Sequence, residues 1–177
     1  MTLLLTIAAT LLLLVGVIYF GARKPGYSHL RDTISELGEV GNPLTRLVGY
    51  GLFLPVGLLL LGVSALTNAP AVQGLAACVG VGYVVAAFFP CDIGLIFPGS
   101  GRQQIHKLGG AVEYFGGAYF LNKFSPEQLL FEPNTLVIGA GVFLVGTLLS
   151  FVLGLSLQGL FQRVVEVVLF GSLIAVV

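Results

Sequence analysis

Charge is scarce in this sequence. Charged side chains make up 9% of the 177 residues, where a soluble domain carries about 25%. Hydrophobic residues supply 56%, more than a soluble protein of this length can hide, so lipid must be the solvent for most of the chain. No polar stretch is long enough to build a soluble domain. The formal net charge is zero, which removes the electrostatic footprint of a nucleic-acid binder, and no nucleic-acid partner is expected. Cysteine is nearly absent. Cys78 and Cys91 fall on one helix and its exit, roughly 20 Å apart at about 1.5 Å per residue, which excludes a disulfide between them. Cys78 reads as packing, and Cys91 as packing or a reactive thiol. Complete catalytic motifs such as HExxH are missing, and no inverted repeat is visible. Glycine, by contrast, is abundant at 25 residues, which suits close helix–helix approach in membranes.

Apolar runs of about 20 residues mark membrane spans, and the pattern predicts an all-α, polytopic bundle of six. The expected spans are 2–20, 47–66, 71–89, 108–122, 134–157 and 160–177, in a single domain covering 1–177. The first is read as a retained span, since no small-residue cleavage site follows it. Pro55 is expected to kink the second, Pro90 ends the third, and residues 129–131 are expected to dip into the interface. The fourth is the weakest because it contains Glu113. Six spans put connections one, three and five on one side. Those connections hold Arg23, Lys24, Arg31, Arg46, Arg102, Lys107 and Arg163, against only Lys123 elsewhere, which favours a cytoplasmic location for them.

The polar chemistry gathers on that same side. His29, His106, Asp32, Glu36, Glu39, Asp92 and Arg163 are all expected there; Glu127 and Glu132 are expected opposite. Residues 28–38 read as a short interfacial helix with Ser28 as N-cap and Gly38 as its stop. That helix sets His29, Asp32 and Glu36 on one face, either as a simple water-facing surface or as groups sharing a metal or a proton. Asp92 sits at the mouth of span three, where a negative charge opposes the helix dipole and needs another partner. His29, His106 and Asp92 are candidate ligands for zinc or iron. Glu113 lies within the membrane, and such a carboxylate is either functional or paired; Arg163 and Lys107 are its candidate partners. Arg163 is itself read two ways, as the mate of Glu166 one turn away or as a fork for a headgroup.

Pro25-Gly26-Tyr27-Ser28-His29, Asp32-Thr33-Ile34-Ser35-Glu36-Leu37-Gly38 and Asn42-Pro43 together resemble a bacterial and archaeal membrane family known as domain of unknown function 998. Phe89-Pro90-Cys91-Asp92, His106 and Gln162-Arg163 look like the rest of its pattern. The likeness covers nearly the whole chain. It implies a six-helix protein of a prokaryotic cell membrane, carries no established activity, and groups Ser28, His29, Asp32, Ser35, Glu36, Asp92, His106 and Arg163 into one site. It also implies the opposite orientation to the charge count.

Three functional classes follow. The favoured one is a module binding a lipid or small molecule, or a subunit of a membrane complex or homo-oligomer, with Tyr27, Ser35, Glu36, Glu113 and Arg163 as ligand contacts. The second is a membrane-embedded hydrolase acting on a lipid, metal-dependent or of Ser/His/Asp type. There His29 or His106 is base or metal ligand, Asp32 and Asp92 orient it, and Ser28 or Ser35 is the nucleophile or oxyanion donor. The third is a small transporter using Pro55 and Glu113.

Overall fold

The computed structural model describes residues 1–95, 99–124 and 157–177. Among the described residues all regular structure is helical and there is no strand. The described residues form five helices: α1 (Thr2–Arg23), α2 (Thr45–Leu66), α3 (Pro70–Phe88), α4 (101–121) and α5 (Gln158–Val176). Helices α1, α2, α3 and α5 are long and apolar enough to cross a membrane, and they account for four of the six expected spans. The expected fourth span is the later part of α4, which starts earlier because Ser100 caps it, its Oγ accepting from the Gln103 N–H at 3.2 Å. Helix α4 stays outside that set because its first turns carry Arg102, Gln103, Gln104, His106 and Lys107 and its middle Glu113. The expected fifth span (134–157), the stretch 129–131, Glu127 and Glu132 lie outside the described residues.

Helices α2 and α3 form a hairpin across residues 67–69, with Pro70 at the first position of α3, where a missing N–H costs nothing. Glycine lets them touch. A Cβ on Gly57 would stand 2.7 Å from Val84 Cγ2 and 2.8 Å from the Gly80 carbonyl, and one on Gly80 would stand 3.0 Å from the Gly57 carbonyl. Helix α1 packs on α2, α4 on α3, and α5 against α1 and α3. Leu52, Leu60, Leu75, Leu169 and Leu173 are fully buried between them.

Two of the helices widen locally into π turns, at Gly49–Phe53 in α2 and Val112–Gly116 in α4. The first lies just ahead of Pro55, which has no N–H to return to the preceding turn. The wider turn takes up that break, and the helix runs on to Leu66.

The helix expected over 28–38 does not form. Residues 28–32 make one turn, Asp32 N–H donating to the Ser28 carbonyl at 2.7 Å, and only Ser35–Gly38 is helical, as a 3₁₀ turn. The reason lies in the hydrogen bonds. A helix would offer the His29 and Asp32 carbonyls to the amides of Thr33 and Glu36. Here Arg163 takes both carbonyls. Thr33 N–H donates instead to Glu36 Oε2 at 2.5 Å, and Glu36 N–H to Thr33 Oγ1 at 3.3 Å, a reciprocal cap on the 3₁₀ turn.

Gly57→Ala is expected to lower stability by about 1–3 kcal/mol, because a methyl there meets backbone rather than a pliant side chain. Gly171→Ala, whose Cβ would meet nothing within 4 Å, is expected to be neutral or slightly stabilising. Thermal unfolding of both variants in detergent checks the contrast.

Candidate functional site

The start of α5 organises the first connection. Gly159 and Leu160 are in its first turn, and their N–H groups donate to the carbonyls of Arg31 (3.1 Å) and Leu30 (3.0 Å). A helix start leaves such donors unsatisfied, so the loop serves as the cap. One turn on, Arg163 Nη1 donates to the carbonyls of His29 (2.6 Å), Asp32 (3.0 Å) and Gly159 (2.7 Å), and Nη2 to the Tyr27 hydroxyl at 2.6 Å and His29 Nδ1 at 3.1 Å. Gly159 makes this approach possible, since a Cβ there would run into the Asp32 carbonyl. Gln162 completes the dock, its Oε1 accepting from Ile34 N–H at 2.7 Å.

The other residues of the face are likewise engaged. Asp32 accepts from Ser28 N–H at 2.7 Å and from Arg31 through both carboxylate oxygens. Burial works to raise the Asp32 carboxyl, but these donors hold it below its ordinary value. Glu36 is raised by burial, against the pull of its Thr33 bonds, with Asp32 and Glu39 adding to the rise. Burial pushes the Tyr27 phenol up to about 12 against the Arg163 charge. His29 is exposed and packs on Gly21 and edge-on to Tyr27, with ring centroids 5.3 Å apart. Its Nδ1 faces an arginine donor, so the imidazole is neutral with its proton on Nε2.

Asp92 and His106 lie apart from this cluster in their contacts. Asp92 accepts from the N–H and hydroxyl of Ser100 and from Arg102 Nη2, at 2.6–2.9 Å. The Ser100 backbone bond leads in holding its carboxyl below the usual range, which supplies the partner that its position beyond α3 demanded. His106 Nδ1 donates to the Phe89 carbonyl at 2.8 Å. Among the described residues no three His, Cys, Asp or Glu side chains are grouped to hold a metal ion. Both cysteines are free thiols, and buried Cys91 lies 3.4 Å from the Ser35 carbonyl with its thiol pushed up to about 12, first by burial and then by Glu36 and Glu39.

Below the face lies a second polar cluster inside the bundle. Glu113, on the π turn of α4, is 7% exposed, and Glu166, on α5, 5%. The two carboxyl groups lie beside each other, and the Tyr83 hydroxyl lies beside Glu166. Arg163 is therefore the partner of neither. Gln162 Nε2 donates to the Tyr114 hydroxyl at 2.9 Å, which donates to Glu166 Oε1 at 3.1 Å. Glu113 Oε1, Glu166 Oε2 and the Tyr83 hydroxyl are buried without a partner. All three residues line a chamber of about 20 Å³ together with Ile34, Ser35, Phe53, Ala86 and Gln162, enough for about one water molecule.

The structure thus brings Tyr27, Ser28, His29, Asp32 and Arg163 together at the face, and Ser35 and Glu113 to the chamber, while Asp92 and His106 hold separate contacts. Sequence reasoning passed over Tyr83, Tyr114 and the Glu113–Glu166 pairing. Glu166 and Gln162 one turn apart, and tyrosines amid apolar runs, were the available signals.

Arg163→Lys should loosen the dock, because one ammonium cannot serve this spread of acceptors. Each buried acceptor left unpaired costs about 1–3 kcal/mol, and hydrogen exchange should quicken in residues 27–34 and 158–163 together. Partial desolvation of its ring against the loop, and then the Arg163 charge, hold His29 below its ordinary 6.5 although the residue remains exposed. The folded protein then binds fewer protons than the unfolded chain, and this stability is whole above about pH 6.5 and lost as pH falls through the lowered value. The thermal midpoint should fall on acidification in the wild type, and fall less in His29→Gln.

Neither the curated proteins nor the solved structures contain a match to this chain. A family model matches residues 7–177, nearly the whole chain, and by that match the chain belongs to the family described as protein of unknown function (DUF998).

Proposed function

We propose that this protein is a six-span module of a prokaryotic cell membrane that binds a small polar ligand inside the bundle, at the Glu113–Glu166 pair. One observation carries the reading: three oxygen atoms in the chamber are buried without partners, an arrangement that costs free energy in a membrane interior unless a ligand or proton completes it. At the face, the side chains that chemistry would need are occupied. Arg31 and Ser28 N–H hold Asp32, and Arg163 holds His29 Nδ1, which weighs against a Ser/His/Asp hydrolase there. The chamber's size favours a proton, water or ion over a lipid. Lipid would instead cover the outer surface, where α1 exposes Leu4, Leu11, Leu14, Val15 and Ile18, and a second copy or another subunit would pack there too.

A transporter is the second reading, favoured because both π turns reach the chamber, through Phe53 and Glu113. Such turns are frequent at functional sites.

Infrared difference spectra of the wild type across a pH titration should show a carboxylic-acid carbonyl band arising from the pair. The band should be lost when both residues are changed to Gln, shift in frequency and midpoint in either Glu113→Gln or Glu166→Gln alone, and persist unchanged in Ser28→Ala. A folded wild type with no titrating band would remove the reading. For the second reading, proteoliposome flux lost in Glu113→Gln is the expected result.

A further inference from the structure

We infer that the chamber takes a monovalent alkali cation in exchange for a proton. This names the ligand class of the site just proposed and rests on that reading.

The argument starts from what is left over. Glu166 Oε1 already accepts from Tyr114, and Gln162 Oε1 already accepts from Ile34 N–H. The atoms without partners on residues that line the chamber are Glu113 Oε1, Glu166 Oε2 and the Tyr83 hydroxyl. All three are oxygen, the donor type of hard cations. Tyr83 is the independent sign that something belongs here. It comes from α3, is 4% exposed, and lines the chamber with its hydroxyl beside Glu166 but in no full hydrogen bond. A buried tyrosine hydroxyl normally finds a partner. Its oxygen can serve a cation while its proton turns to a carboxylate.

Charge points the same way. Two adjacent carboxyl groups away from water cannot both stand ionised without a positive charge between them. The groups facing the pair are Tyr83 from α3, Tyr114 from α4, Gln162 from α5 and Ser35 from the first connection. None of these described groups is a cation, and Arg163, one turn from Glu166, gives its two terminal nitrogens to the loop, while its Nε is buried without a partner and the residue does not line the chamber. A proton or a small cation is what remains. One proton leaves a carboxyl for water as one cation enters, so the charge of the chamber is unchanged.

Size and charge select the class. The chamber, at about 20 Å³, holds a sphere about the size of a water molecule, which admits sodium or lithium. Calcium or magnesium would bring two charges for the one proton released, and magnesium keeps several waters that the chamber has no room for. Exchange at constant charge takes a monovalent ion.

The test uses the full-length protein in lipid nanodiscs and the same infrared carbonyl band. Sodium chloride is titrated against choline chloride at fixed pH, with lithium and potassium as further probes. In the wild type sodium should displace the proton and reduce the band, and the sodium concentration for half effect should rise about tenfold for each unit that pH is lowered, as one-for-one competition requires. Tyr83→Phe should keep the titrating band and need about tenfold more sodium, the worth of about 1.4 kcal/mol for one lost ligand. A band that titrates with pH but ignores all three cations overturns the exchange and leaves the binding reading standing as a proton site. A cation response equal in the wild type, Glu113→Gln and Tyr83→Phe would also overturn it, since the ion would then bind elsewhere. If the folded wild type has no titrating band, both inferences fall together. Because the wild type carries the primary readout, misfolding of a variant cannot decide the result.

Discussion

A helix that starts at the edge of apolar surroundings presents amide donors that its own turns cannot satisfy, and the rest of this structure depends on how α5 meets that need. The first connection lays its backbone across the helix start. Carbonyls of Leu30 and Arg31 meet the N–H groups of Leu160 and Gly159, and those of His29 and Asp32 meet Arg163. Ile34 then gives its N–H to Gln162, which turns its other end to Tyr114, which binds Glu166. A loop near one end of the sequence and a helix near the other are therefore a single hydrogen-bonded unit, and that unit aims the interior carboxyl pair.

The membrane class was plain in composition because water-soluble folds rarely tolerate an uninterrupted apolar run of about 20 residues. Helices α1, α2, α3 and α5 stand where that rule put them. The start of α4 was harder. Gly101–Ala111 is polar enough to read as loop, and only the Ser100 cap marks its beginning. The short helix over 28–38 was misread for a physical reason. Its caps are genuine local signals, but Arg163, more than a hundred residues away in sequence, competes for the same carbonyls and wins with a charged donor. Arg163 was recognised as significant and linked to the wrong groups, because its acceptors are backbone atoms, which leave no trace in residue type. The Glu113–Glu166 pairing was hidden likewise. Arg163 is the nearer sequence neighbour of Glu166, and only the fold reveals that it faces the loop instead.

The two polar layers differ in balance. At the face, Arg31, Arg102 and Arg163 bring more donors than the carboxylates nearby can use, and backbone carbonyls take most of the surplus, with Arg163 Nε left buried and unpaired. In the interior the balance reverses. Tyr114 and Gln162 are engaged, and two carboxyl groups confront each other with the Tyr83 hydroxyl as the unspent donor. Surplus donors at a wet boundary cost little, because water accepts from them. Surplus acceptors in a dry interior are expensive. That asymmetry makes the chamber, rather than the more densely charged face, the place where chemistry is unfinished.

The π turn at Val112–Gly116 lets α4 carry one extra residue without changing which residues beyond it face inward. A π turn holds one residue more than an α turn over nearly the same rise. Removing one residue there would restore regular winding and leave the facing beyond it nearly as it is, whereas removing one from a regular turn would rotate the rest of the helix by about 100°. Gly117, where a Cβ would come within 2.9 Å of Leu169, would keep its place in the first case and swing away in the second. A single-codon deletion is thus absorbed in this stretch and disruptive elsewhere in α4, and an alignment that sets the gap outside it would pair lipid-facing positions with buried ones.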